Sequence, residues 1–172
     1  MTNYEQMRFE LALQKAIQAQ LDILVDLATK TVCECIEPPK EDNKPSKEKS
    51  QIRNVINVAS DTESVEVVTN FIRYQIARSG DDYKIWKEKE FGHEVIAVIE
   101  KDLDQMTKRV IEKLKQSFSA DQSDQEFHRV HHQLTQLYLG YLNRCFYYVV
   151  EKKDNKKKLC AGRRKINATP QV

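Results

Sequence analysis

The sequence predicts an all-α fold: a single-domain bundle of about five helices with a flexible linker and a basic C-terminal tail. Three observations predict it. Charged residues fill 31% of 172 positions while Gly and Pro occur four times each, a composition suited to long helices rather than strands and tight turns. Apolar residues recur at three- and four-residue steps through most of the chain. No stretch reads convincingly as a strand; Tyr147-Tyr148-Val149-Val150 has strand propensity but continues a helical stripe. The length suffices to bury a core.

Residues 3–36 read as one long helix. Phe9, Leu13, Ala16, Ile17, Leu21, Leu24, Ala28 and Val32 share a stripe with no Gly or Pro inside it, and Thr2 or Asn3 can cap its start. Pro38 and Pro39 end it. Residues 37–49 hold no large apolar side chain, so burial cannot offset their ordering entropy, and they are expected to form a flexible linker. A core domain then spans residues 50–151. Ser50 can cap a short helix that carries Ile52, Val55, Ile56 and Ala59. Ser60-Asp61-Thr62-Glu63 has capping-box spacing and is expected to open the next helix. That helix carries Val65, Val68, Ile72 and Ile76, widened by Val67, Phe71 and Tyr74, and Gly80 can terminate it.

A connector holding Trp86 follows, then a helix over about residues 91–118 with Val95, Val98, Ile99, Leu103, Met106, Val110 and Leu114 inward. Ser123-Asp124-Gln125-Glu126 is a second capping box. It opens a last helix to about residue 151, expected to bury Phe127, Val130, Leu134, Leu137, Tyr138, Tyr141, Cys145 and Tyr148. Residues 152–172 carry eight Lys/Arg against one Asp and are expected to be a disordered basic tail. The overall charge of +2 therefore leaves the remaining 151 residues at −5, so nucleic-acid affinity in the body would need local patches.

No apolar run is long enough to span a membrane, and the N-terminus lacks the basic-then-apolar order of a signal peptide, so a cytoplasmic protein is expected. In that compartment Cys33, Cys35, Cys145 and Cys160 are expected as thiols. Asn167-Ala168-Thr169 is then an idle glycosylation match.

No nucleotide-cradling glycine loop, nucleophile elbow or tight carboxylate pair is present, so neither an enzyme nor a cofactor is expected. His128 and His132 lie one helical turn apart and could share a metal ion, which leaves a helical metal-binding protein as an alternative. Cys33 and Cys35, two apart on a helix, point to different faces and do not chelate there. Phe146, Tyr147 and Tyr148 can stack on bases, although a helix must bury such a stripe more often than display it. Arg53, Arg73 and Arg78, followed by Lys84, Lys87 and Lys89, form a basic neighbourhood in an acidic body, either solvated charge or a phosphate-tracking surface.

The helix start Ser50-Gln51-Ile52-Arg53, the helix end Tyr74-Gln75-Ile76-Ala77-Arg78 and the aromatic helix LYLGYLNRCFYYV resemble the small all-helical subunit of type III CRISPR effector complexes, of the Csm type. The resemblance covers about residues 50–150. It implies a non-catalytic structural role in RNA-guided antiviral defence. Such a subunit lies along a guide RNA–target RNA duplex beside other subunits of the complex, and self-associates along a filament. It further implies RNA-backbone contacts from Arg53, Arg73, Arg78, Lys87 and Arg144, independent of base sequence and sensitive to salt. A generic helical protein that dimerises through its N-terminal helix is the other alternative.

Overall fold

The computed structural model describes residues 2–38, 46–78, 81–118 and 123–162, and every regular element among them is helical. The helices are α1 (Asn3–Gln18), α2 (Leu21–Cys35), α3 (Ser46–Asp61), α4 (Val65–Ala77), α5 (Phe91–Ala97), α6 (Asp104–Ser117), α7 (Ser123–Glu151) and α8 (Lys153–Ala161). Two 3₁₀ turns, Asp81–Trp86 and Glu88–Glu90, lead into α5, and a π turn, Val98–Leu103, joins α5 to α6. The bundle is assembled around α7, against which α2, α3, α6 and α8 all pack.

The expected N-terminal helix is broken once. Gln20 donates its backbone N–H to the Ile17 carbonyl at 2.9 Å instead of reaching one residue further back. Its side-chain Nε2 then donates to the Ala16 carbonyl that this leaves behind, at 3.3 Å. The Ala16 carbonyl therefore keeps a donor without Gly or Pro at the break. Thr2 caps α1 in a full capping box with Glu5. The predicted stripe holds on both sides of the break: Leu13, Ile17, Leu24, Ala28 and Val32 are buried.

The predicted linker is shorter than expected. α3 begins at Ser46, so residues 46–49 are helical, while 39–45 lie outside the described residues. The expected cap at Ser60 is also displaced. Ser60 still belongs to α3 and donates its hydroxyl to the Ile56 carbonyl, whereas Ser64 caps α4 by accepting from Val67 N–H. Ser64 has no Glu or Gln three residues on, so it lacks the two-sided signature that singled out Ser60. Gly80 lies outside the described residues, as do the side chains of Ser123, Asp124 and Gln125 in the second capping box.

Val95, Val98, Ile99, Leu103, Met106, Val110 and Leu114 are buried as predicted. The π turn among them shifts the hydrogen-bond register, and the Ile99 carbonyl accepts from His131 Nε2 at 2.9 Å, tying this helix to α7. Trp86 is fully buried, with its ring 5.5 Å from that of Phe91. Before α5, Lys89 and Glu90 both hold positive φ, 44° and 58°, a conformation that side chains other than glycine rarely adopt.

On α7 the expected inward face holds except at Tyr148, with Phe127, Leu137, Tyr141 and Cys145 half-buried against the core. Val130, Leu134, Tyr138, Leu142, Phe146, Val149 and Val150 are buried, while Tyr148 is 43% exposed. The Tyr138 hydroxyl is the polar centre of the core. Thr31 Oγ1 gives its one proton to the Leu27 carbonyl at 3.1 Å, so the Tyr138 hydroxyl, 3.1 Å from Thr31 Oγ1, must donate to it. Burial pushes the Tyr138 phenol well above its ordinary range, which keeps that donor protonated.

Two expectations about the C-terminal region are overturned. Residues 153–161 form a helix rather than a disordered stretch, with Asn155 buried and Leu159 packed against the core. Cys33 and Cys160 are joined in a disulfide across 127 residues of sequence, so these two are not thiols. Cys35 and Cys145 are free. Residues 163–172 lie outside the described residues.

Candidate nucleic-acid interface

The seam between α3 and α7 gathers cations around an aromatic ring. Lys49 and Arg53 sit four residues apart on α3 and so share a face. Arg53 Nη2 donates to the Tyr147 hydroxyl at 2.9 Å. Lys49 Nζ lies 4.7 Å from the centroid of the same ring and 2.9 Å from Glu151 Oε2. A cation over an aromatic face is attracted by the ring quadrupole, so Tyr147 orients two positive side chains at once. Arg144 is on α7, three residues before Tyr147 and four before Tyr148, hence a surface neighbour of both. Its guanidinium lies 5.4 Å from the Tyr141 ring centroid. Arg53, Arg144 and Tyr148 are exposed.

The other predicted residues fall into different roles. Arg73 is engaged within the fold: its guanidinium bonds Glu100 in the π turn, and Nη1 donates to Thr69 Oγ1 at 3.4 Å. Arg78 forms the C-terminal cap of α4 and stacks 5.3 Å from the exposed Tyr74 ring. Lys87 is exposed between the two 3₁₀ turns. The five predicted residues are therefore not one cluster. Arg53 belongs to the α3–α7 seam, Arg144 lies on α7 one turn before Tyr147, Arg78 and Lys87 belong to the end of α4 and the turns after it, and Arg73 pairs at the surface with Glu100.

Sequence reasoning missed Lys49, which it placed in the linker. The signal was the four-residue spacing to Arg53, but it is visible only once α3 is known to start before Ser50. Tyr147, which the sequence offers as either a stacking residue or part of the core, is half-buried, with its hydroxyl at the seam surface.

The histidines are otherwise engaged. His132 Nε2 donates to the Ala59 carbonyl at 2.9 Å, which also accepts from Gln136 Nε2 at 2.8 Å, and His131 bonds Ile99. His128 is exposed beside Phe127. Among the described residues no group of three or more His, Cys, Asp or Glu could hold a metal ion, so the His128–His132 pair finds no third ligand there. No helix of the described residues is long and apolar enough to cross a membrane.

Chemically, the seam offers phosphate-binding cations set beside exposed aromatic faces, a combination suited to a nucleic-acid backbone and to unstacked bases. Among the described residues, Lys49 is paired with Glu151, while Arg53 and Arg144 are exposed cations in a body that is otherwise acidic. No protein-family model, curated protein or solved structure matches the chain.

Proposed function

We propose that this chain is a non-catalytic structural subunit that contacts an RNA backbone, like the small helical subunit of a type III CRISPR effector complex. On this reading it works in the cytoplasm, beside other subunits and further copies of itself, along a guide RNA–target RNA duplex. The observation that supports it most directly is the convergence of Lys49 and Arg53 on Tyr147, with Arg144 one turn away. Arg53 and Arg144 are the primary phosphate contacts, Tyr148 a stacking surface, and Arg78 with Lys87 a secondary contact. Arg73 has a structural role, because its charge is already met by Glu100.

The test is a double charge reversal, Arg53→Glu with Arg144→Glu, read by RNA-duplex binding of the assembled complex across several salt concentrations. Loss of two phosphate contacts should weaken binding to all sequences alike and reduce the salt slope by about 2, one per contact. Unchanged affinity and slope would refute the reading. Arg73→Gln should leave the slope as it is.

One observation favours a second reading, a helical interaction protein that dimerises through α1. Tyr4, Met7 and Leu11 recur on one face of that helix and are 70%, 66% and 58% exposed. Native mass measurement of the full chain, with Met7→Lys and Leu11→Lys as variants, decides it: a dimer lost in both supports this reading, and a monomer in the unaltered chain removes it.

A further inference from the structure

Helix α8 has little of its own to keep it in place. It is nine residues long, KDNKKKLCA, and an isolated helix of that length does not persist in water. Leu159 is its apolar side chain packed against the core, and Lys157 and Lys158 are exposed. It packs on α7 and α2, and among the described residues two side-chain polar ties are seen. Asn155 Nδ2 donates to the Tyr148 carbonyl at 2.7 Å, and Lys156 Nζ lies 3.7 Å from a Glu37 carboxylate that is 47% exposed. A long, solvated ion pair of that kind holds weakly. The remaining tie is covalent: Cys160 to Cys33 on α2.

Both disulfide partners are only partly buried, unlike the core cysteine beside them. The neighbouring Cys35 is buried, and burial raises its pKa, which keeps it a thiol and a poor competitor for exchange. The bundle itself does not depend on the same link. α2 is tied to α7 by the buried Thr31–Tyr138 hydroxyl pair and itself buries Leu24, Ala28 and Val32, whereas among the described residues α8 sets one apolar side chain, Leu159, against the core.

We propose that Cys33–Cys160 is a redox latch: oxidised, it holds α8 against α2 and α7, and reduction lets α8 detach while the bundle stays folded. The reductant is a thiol, either one dithiol or two monothiols. A thiolate attacks one sulfur of the disulfide to give a mixed disulfide and frees the other as a cysteine thiolate. A second thiolate then cleaves the mixed disulfide. Two electrons and two protons pass to the protein, which ends with two cysteine thiols, and the reductant ends as its own disulfide. Detachment releases Lys156 from Glu37 and lets Lys157 and Lys158, already exposed, move away with the helix. Residues 152–162, with five Lys against one Asp, then form a cationic arm rather than part of the body. This proposal does not rest on the RNA reading.

The experiment is hydrogen exchange on the full chain, with and without dithiothreitol, with thiols counted by alkylation and mass. Reduction should lower amide protection over residues 153–161 by at least about tenfold while residues 130–150 keep theirs. Cys160→Ser and Cys33→Ser should each reproduce the open state without reductant, and Cys35→Ala should stay closed until dithiothreitol is added. Equal protection of 153–161 in both redox states would overturn the latch. So would loss of protection throughout the chain on reduction, which would make the bond a staple for the whole fold, and so would four alkylatable thiols in oxidised protein.

Discussion

Gly92 and Gly140 provide a paired test of the packing. Gly92 lies in the first turn of α5, where a Cβ built on its backbone would sit 2.6 Å from Ile76 Cγ1, 2.7 Å from Ile76 Cδ1 and 2.9 Å from the Trp86 carbonyl oxygen. The isoleucine can yield partly by turning; the carbonyl belongs to the backbone of a fully buried tryptophan and cannot. Gly92→Ala should therefore introduce overpacking of about 2–3 kcal/mol. The better helix propensity of Ala offsets at most about 1 kcal/mol of that, less in a first turn. The net loss is about 1–2 kcal/mol. Gly140, in the middle of α7, has no atom within 4 Å of the same construction. Gly140→Ala should then collect the propensity gain alone and stabilise by about 0.5–1 kcal/mol. For a chain of this length each kcal/mol moves Tm by about 2–4 °C, so the two variants should separate in opposite directions from the parent. Urea unfolding of the oxidised protein, followed by far-UV circular dichroism, measures both, provided the slope m is unchanged. A Gly92→Ala variant as stable as the parent would refute the close approach of α5 to α4. A destabilised Gly140→Ala variant would refute the open surface assigned to that turn of α7.

Tyr138→Phe should cost about 1 kcal/mol, because Thr31 keeps its donor bond to Leu27 and loses only an accepted one; a chemical-denaturation midpoint checks this. Glu37 is held below the usual carboxylate range by the Lys89 side chain bonded to it, with Lys156 adding to the effect. A depressed folded-state pKa means a contribution that is present above the unfolded pKa and lost as pH falls through the folded one. Protection factors over residues 153–161, which correct for the intrinsic slowing of exchange in acid, should therefore fall slightly on acidification below the ordinary glutamate range, and Glu37→Gln should remove that part of the pH dependence. Arg129 binds Glu10 through two bonds of 3.0 and 2.9 Å, joining α7 to α1, but the side chains are 45% and 38% exposed. Solvent screening limits Arg129→Ala to under about 1 kcal/mol of global stability, seen mainly as faster exchange in α1.

Much of the bundle was legible locally. The stripe Leu13, Ile17, Leu24, Ala28 and Val32 and the stripe from Val95 to Leu114 are buried as their spacing required, because a helix repeats its facing every three to four residues whatever it packs against. The break at Gln20 left no mark in that pattern, since it falls at a polar residue whose side-chain amide bonds the Ala16 carbonyl. The candidate site was legible only in part. Arg53 and Arg144 were visible as charges in an acidic body, but that Arg73 is tied to Glu100 and that Lys49 joins the seam depend on partners 27 and 102 residues away.

From the sequence alone came the helical class, the amphipathic faces and the excess of positive charge near the C-terminus, all properties of near neighbours along the chain. Only the tertiary structure decided which of Phe146, Tyr147 and Tyr148 turns inward. Three consecutive aromatics sweep most of a helix circumference, so local period cannot rank them; contact with α3 and α8 does. It likewise decided that a lysine-rich segment, which composition assigns to solvent, forms α8 and lies bonded to α2 through Cys160. Composition measures how much apolar surface a segment can bury by itself. It carries no information about a covalent partner 127 residues earlier.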